Sequence, residues 1–174
     1  MNKKINPFDY AGHICESMKK GILLTTKVGE KVNSMTIGWG TLGIEWGRPV
    51  VVAYVRVGRF TRQMLDESGE FTINIPMETV DPKILSICGT KSGRDLDKVK
   101  ELGLHLEPGK AIATPGIREL PLTLECKILY RVAQPTATIP EDIQQRYYPK
   151  DAEGNQDFHY AYFAEIVGAY IITE

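Results

Sequence analysis

The tightest constraint in this sequence is the spacing of its strand-like segments. Glu70-Phe71-Thr72-Ile73-Asn74-Ile75 alternates with period two and is closed by Pro76, the pattern of a half-buried strand. Residues 21–26, 32–40, 49–57, 122–132 and 159–172 also read as strands, by alternation or by β-branched content. Between none of these six or more segments lies the helix of roughly 10–15 residues that a parallel sheet needs. The pattern therefore predicts a mainly β, antiparallel barrel with a few short helical insertions.

The connections carry their own signals. Lys27-Val28-Gly29-Glu30-Lys31 is a polar loop that makes its flanking strands a hairpin. A short helix or turn is expected from Asp9 to Met18. Thr61 reads as the N-cap of a helix through Met64 and Leu65 that stops near Ser68-Gly69. Asp81-Pro82 starts a helix to Cys88 that ends at Gly89. Ser92-Gly93-Arg94-Asp95 is a capping-box pattern for another helix to Leu102, stopped by Gly103. Residues 43–49 read as punctuation. Residues 134–156, with three prolines and a Gly-Asn turn, form a long irregular excursion. The expectation is one domain over residues 1–174.

Composition narrows the function. Apolar residues make up 43% of the 174, enough to bury a core, and the net charge is only −1. No field spread over the whole surface points to nucleic acid or an anionic membrane, so any anion site must be local. The polar start Met1-Asn2-Lys3-Lys4-Ile5-Asn6-Pro7 predicts no signal peptide. No apolar run approaches the roughly 20 residues needed to span a bilayer. Cys15, Cys88 and Cys126 are odd in number, far apart and without a CxxC pair. They point to a reducing cytoplasm and away from a disulfide framework or zinc site. His13, His105 and His159 are equally scattered, and no metal site is expected.

Four stretches carry possible chemistry. Arg56 closes an apolar strand, Arg59 follows a glycine, and Thr61 opens a helix; guanidinium forks, a hydroxyl and a helix N-terminus together suit a phosphate. The spacing is equally compatible with two surface arginines at a strand end. Residues 89–93 add Lys91, Ser92 and loop amides, without the GxxxxGK[ST] spacing of a nucleotide-binding loop. In residues 32–40, Val32, Ser34, Thr36 and Gly38 share one face; Asn33, Met35, Ile37 and Trp39 share the other. Both faces mix polar and apolar groups, which suits the edge of a flat heterocycle with Trp39 as a wall, or simply a half-buried strand with a core Trp. Residues 157–165 set His159 and Tyr160 among aromatics. Nothing ties a serine or cysteine to a base, and no GxGxxG is present, so hydrolase and tightly held dinucleotide readings are poor.

Five motifs in one order carry a resemblance. They are Asn33-Ser34-Met35-Thr36, Arg56-Val57-Gly58-Arg59-Phe60-Thr61, Gly69 through Pro76, Ser92-Gly93-Arg94-Asp95-Leu96-Asp97-Lys98, and Glu165-Ile166-Val167-Gly168. Together they resemble the flavin reductase-like, FMN-binding split-barrel family, and within it the flavoredoxin branch. The resemblance implies a six-stranded split β-barrel of Greek-key type and a homodimer with FMN near the interface. It implies that Asn33, Ser34, Met35, Thr36 and Trp39 line the ring. It places Arg56, Arg59 and Thr61, helped by Lys91 and Ser92, on the phosphate, and His159 and Tyr160 on the substrate side. Val57-Gly58 departs from the pattern, where a proline is common. The implied activity is an oxidoreductase that moves hydride or electrons between NAD(P)H or a redox protein and an acceptor, with the cofactor supplying the chemistry and no catalytic side chain assigned. The alternative it leaves open is a flavin carrier that passes electrons without oxidising nicotinamide itself.

Overall fold

The computed structural model describes residues 2–173. Its strands are β1 (Asn2–Lys4), β2 (Ile22–Val28), β3 (Lys31–Ile37), β4 (Gly40–Glu45), β5 (Arg48–Arg56), β6 (Glu70–Ile75), β7 (Leu106–Glu107), β8 (Gly116–Ile117), β9 (Leu122–Ala133) and β10 (His159–Ile172). Its α-helices are α1 (Ala11–Lys20), α2 (Phe60–Ser68), α3 (Pro82–Thr90), α4 (Lys98–Leu102) and α5 (Glu141–Tyr147). None of these helices is long and apolar enough to cross a membrane.

The main sheet runs β3-β2-β6-β9-β10-β5-β4, every neighbouring pair antiparallel, with β1 added beside β10. The mainly β, antiparallel, split-barrel architecture is the expected one. The strand count is higher: eight strands in the main sheet and a separate β7-β8 pair. The additions have clear causes. β4 contains Gly40 and Gly43 and is followed by Gly47, so its residues read as the tail of one strand and as punctuation. β1 is short and polar and exists only through its ladder to the end of β10.

The two ends of the sheet, β3 and β4, are consecutive in the chain and are linked by Gly38 and Trp39 alone. Among the described residues no ladder joins β3 to β4 or β5, so the barrel is split along this seam. Gly40 is required at the far side of it, since a Cβ there would lie 2.8 Å from the Val52 carbonyl and 3.0 Å from the Met18 sulfur.

Inside the barrel, Leu24, Ile37, Val55, Phe71, Ile73 and Leu124 form the core, and Ile14 and Met18 of α1 plug it. A second apolar layer covers the outer face of β2, where Leu23 packs against Ile84 and Cys88 of α3 and against Leu104, Ile117 and Leu120. A buried polar ladder runs under that layer. Ser34 Oγ and Thr25 Oγ1 are 2.8 Å apart, Thr25 donates to Asn74 Oδ1 at 3.0 Å, and Asn74 Nδ2 donates to Thr123 Oγ1 at 3.3 Å. With the Thr25 hydrogen spent on Asn74, Ser34 must donate to Thr25.

Three local expectations shift. The N-cap of α2 is Arg59, and Thr61 lies buried in the first turn, where its Oγ1 accepts from Asn33 Nδ2 at 2.8 Å. Ser92 heads a tight turn instead of a helix, accepting the Arg94 N–H at 3.2 Å, and the helix begins at Lys98 with Asp97 as its cap. The excursion is partly helical, with a 3-10 turn at Thr136–Thr138 and α5.

The Asn33–Thr61 bond ties β3 to α2, and Gly93 packs directly on it: a Cβ there would collide with the Asn33 carboxamide and reach 3.0 Å from Phe60. Gly93→Ala is expected to lower stability by about 1–3 kcal/mol through overpacking, read as a lower urea midpoint at unchanged m-value. An unchanged midpoint would show that the carboxamide moves aside freely.

Candidate functional site

The seam opens into a cleft of about 150 Å³. One lip is the end of β3 and the link, from Met35 through Trp39; the other is Tyr54 and Arg56 of β5, with Arg59 and His159. Through Gly38, Trp39 and Tyr54 the cleft joins a groove of about 520 Å³. That groove is walled by Cys15 and Met18 of α1 and by Ile143, Tyr147 and Tyr148 of the excursion. The link cannot be covered by neighbouring strands, so Trp39 stands 40% exposed, its ring 5.1 Å from His159 and edge-on to Tyr147 at 5.2 Å.

Of the residues singled out in the sequence, the cleft brings together Met35, Thr36, Trp39, Arg56, Arg59 and His159. The others lie elsewhere. Ser34 faces the buried polar ladder; Thr36, although it borders the cleft, donates its Oγ1 hydrogen to the Leu85 carbonyl at 2.7 Å. Asn33 and Thr61 spend their side chains on each other. Lys91 is exposed beyond the end of α3, and neither it nor Ser92 lines the cleft. Tyr160 alternates to the face opposite His159, where Arg131 lies 4.5 Å from its ring.

The cleft is electropositive, but its cations are partly committed. Arg59 Nη1 donates to the Gly89 carbonyl at 2.8 Å, and Lys98 Nζ donates to the Cys88 carbonyl at 3.3 Å. The C-terminal carbonyls of α3 thus hold two cations, as a helix dipole favours. Lys98 is 3% exposed and also donates to the Ser34 carbonyl at 2.8 Å; burial pulls its pKa down. Around the start of α2, Lys31 and Arg94 sit 4.6 and 5.2 Å from the Phe60 ring. No side chain caps that helix; in its first turn the Arg62 N–H goes to the Arg59 carbonyl at 3.1 Å, which leaves the Phe60 and Thr61 amides without a capping side chain.

Arg56 does a different job from the one expected of a phosphate ligand. Its guanidinium donates to the carbonyls of Asp157 at 2.7 Å and Tyr147 at 3.1 Å and lies 5.3 Å from the Tyr148 ring, fastening the excursion to the barrel. The neighbouring Val57-Gly58 explains its departure from the family pattern. Val57 N donates to the Phe158 carbonyl and Gly58 N to Asp157 Oδ1, both at 2.9 Å, and a proline would remove one of these donors.

His159 is 6% exposed, and its pKa falls to about 4. Burial is the main cause; Arg56 and Arg59 push the same way, against Asp157. The imidazole is therefore neutral near pH 7. Its Nδ1 lies 2.9 Å from Tyr148 Oη, which donates to Gln134 Oε1 at 2.9 Å. Sequence reasoning missed Lys98, Gln134, Tyr54 and Tyr148. For Tyr148 there was a signal, an aromatic pair in an otherwise polar excursion; a lysine among charged residues gives no hint of burial.

Comparison with known proteins agrees with this architecture. The model of the family "Flavin reductase like domain" matches residues 17–169. An uncharacterized protein of Archaeoglobus fulgidus is 28% identical over 103 residues, which span 59% of this chain and 57% of that relative. Flavoredoxin from Methanosarcina acetivorans superposes with a TM-score of 0.65 at 23% identity, over 87% of this chain and 68% of that one. An FMN-binding domain of a flavin reductases-like enzyme from Shewanella baltica OS155 gives 0.66 at 19% identity, over 98% and 77%. Identities this low show a shared fold. The family match takes in the seam, both lips of the cleft and most of β10, and this chain belongs to the flavin reductase like domain family.

Proposed function

We propose that the seam cleft binds FMN and that the protein is a flavin-dependent oxidoreductase. The observation that carries this reading is the set of groups at the cleft: the Trp39 and His159 rings, tilted 44° to each other, beside Arg59, the N-cap residue of α2, a helix that no side chain caps. A planar ring with an anionic tail matches that pairing. The cleft alone is smaller than ligand sites of a few hundred Å³, so the ring extends into the adjoining groove. Arg59 and the first amides of α2 would hold the phosphate. Met35 to Trp39 would border the ring, and the excursion fastened by Arg56 would shield it from water. Bound FMN supplies hydride or electron transfer, and no side chain of this chain need act as a general base.

Purified protein is expected to be yellow or to take up FMN. Arg59→Ala should weaken FMN binding about 10- to 100-fold, the size of a lost charge-assisted contact, followed by flavin fluorescence. Colourless protein without affinity for FMN sinks the proposal, and unchanged affinity removes Arg59 from the phosphate site. Mixing the loaded protein anaerobically with NADH or NADPH should bleach the flavin. Failure to bleach with either would favour the carrier role, with a redox protein as electron donor. The free cysteines suit a reducing cytoplasm as the place of action.

We propose further that the outer face of β4 and β5 meets a second copy of the chain. The β4-β5 hairpin turns on Trp46-Gly47 with φ of 50° and 70°, a primed turn that favours asparagine or glycine first. Holding a tryptophan there costs about 1–3 kcal/mol and leaves its indole 69% exposed beside Ile44, at 70%. Tyr130 and Phe163 stack below it at 4.4 Å. Such a patch at the open end of the sheet is what an isologous dimer covers. Sedimentation should give a dimer and Trp46→Glu a monomer; a monomeric parent protein would refute the assignment.

A further inference from the structure

The hydrogen bonds around His159 determine which of its ring nitrogens carries the proton. The His159 backbone N–H donates at 3.0 Å to Gln134 Oε1, so the carboxamide oxygen, not its nitrogen, faces this cluster. Gln134 is held from the other side too, its own N–H donating to the His159 carbonyl at 3.1 Å. Tyr148 Oη lies 2.9 Å from the same Oε1 and has a single hydrogen, which it must spend there. Toward His159 it then offers only lone pairs. Nδ1, at 2.9 Å, must be the donor. In a neutral imidazole Nε2 is then bare.

Nε2 has no hydrogen-bond partner among the described residues. Nor is it sealed in, since the one fully buried orphan side-chain atom among them is Asn2 Oδ1. It therefore reaches open space, and the open space His159 lines is the seam cleft. The charged groups around the ring are Arg56 from β5, Arg59 ahead of α2 and Asp157 from the excursion; their balance, with burial, keeps it uncharged.

We propose that Gln134 and Tyr148 form a relay that locks His159 as its Nδ1–H tautomer, so that the cleft selects a ligand bringing an N–H or O–H donor to Nε2. This rests on the cleft being a ligand site and deepens the flavin reading without requiring it. Two arginines beside the imidazole would otherwise suggest a site that takes only acceptors and anions. The relay adds one acceptor at a defined point, so the site distinguishes a heterocycle with a ring N–H from the same heterocycle methylated there. Gln134 and Tyr148 are positioning residues, acting through His159 from the stem of the excursion.

The test is ¹⁵N NMR of histidine-labelled, ligand-free protein at pH 7, with His159 assigned by its absence from the His159→Gln spectrum. The expected pattern is a protonated Nδ1 and a bare Nε2; a protonated Nε2 overturns the lock. Gln134→Leu frees the Tyr148 hydrogen to face Nδ1 and is expected to shift the proton to Nε2. Tyr148→Phe, a second route should the first variant not fold, is expected to give mixed tautomers. Retention of the parental pattern in a folded variant overturns the relay. Titrating FMN into the same sample should move the Nε2 signal toward a hydrogen-bonded position while Nδ1 stays protonated, and Gln134→Leu should weaken FMN about tenfold. FMN that binds without moving Nε2 overturns the selection. FMN that does not bind sinks the flavin reading, and the ligand-free spectra still decide the lock.

Discussion

The structure depends on a sheet whose two ends are consecutive in the chain and do not pair. β3 and β4 are separated only by Gly38 and Trp39, yet no ladder joins them among the described residues; the chain bends away at this link and β4 joins β5 instead. Closure of the barrel fails there and nowhere else along the ladder path among the described residues. The failure leaves a cleft, exposes Trp39 on the link, and sets the ends of β3, β5 and β10 side by side. Everything read as function lies on or beside that seam.

Cations at the seam are held by carbonyls more than by carboxylates. Arg59 and Lys98 take the end of α3, and Arg56 takes two carbonyls of the excursion. A carbonyl orients a cation without cancelling its charge, so the positive potential survives in the cleft; the pKa of His159, lowered chiefly by burial, is lowered further by Arg56 and Arg59. A carboxylate pairing in the same place would have neutralised the site for an anionic ligand. The excursion therefore does more than cover the groove. Its backbone fixes Arg56, its side chains fix His159, and its helix supplies the aromatic wall facing Trp39.

Where the sequence was legible, a local rule with one strong solution applied. Glu70–Ile75 and His159–Ile172 alternate and fold as read, and Asp81-Pro82 and Gly103 punctuate helices where their chemistry demands. Where it misled, two rules competed. Thr61 has the chemistry of an N-cap, yet Asn33 claims its hydroxyl and the helix starts earlier. Ser92 begins a capping-box pattern, but the chain turns at 92–96 to let Gly93 pass under Asn33. Arg56 and Arg59 look equivalent from their spacing. The first is consumed by a segment about a hundred residues away, and no local pattern can announce that.

The sequence by itself determined six of the strands, the antiparallel arrangement that short connections impose, and the presence of arginines and an aromatic strand end suited to a ring and an anion. It could do so because alternation and capping depend on neighbours a few residues apart. Only the tertiary structure decided which of those groups face the cleft. It turned Ser34 into a buried ladder, set Lys98 under β3, and brought Gln134 and Tyr148 onto His159. Those outcomes follow from which strands meet across the barrel and where the seam falls, and both depend on pairings between residues far apart in the chain.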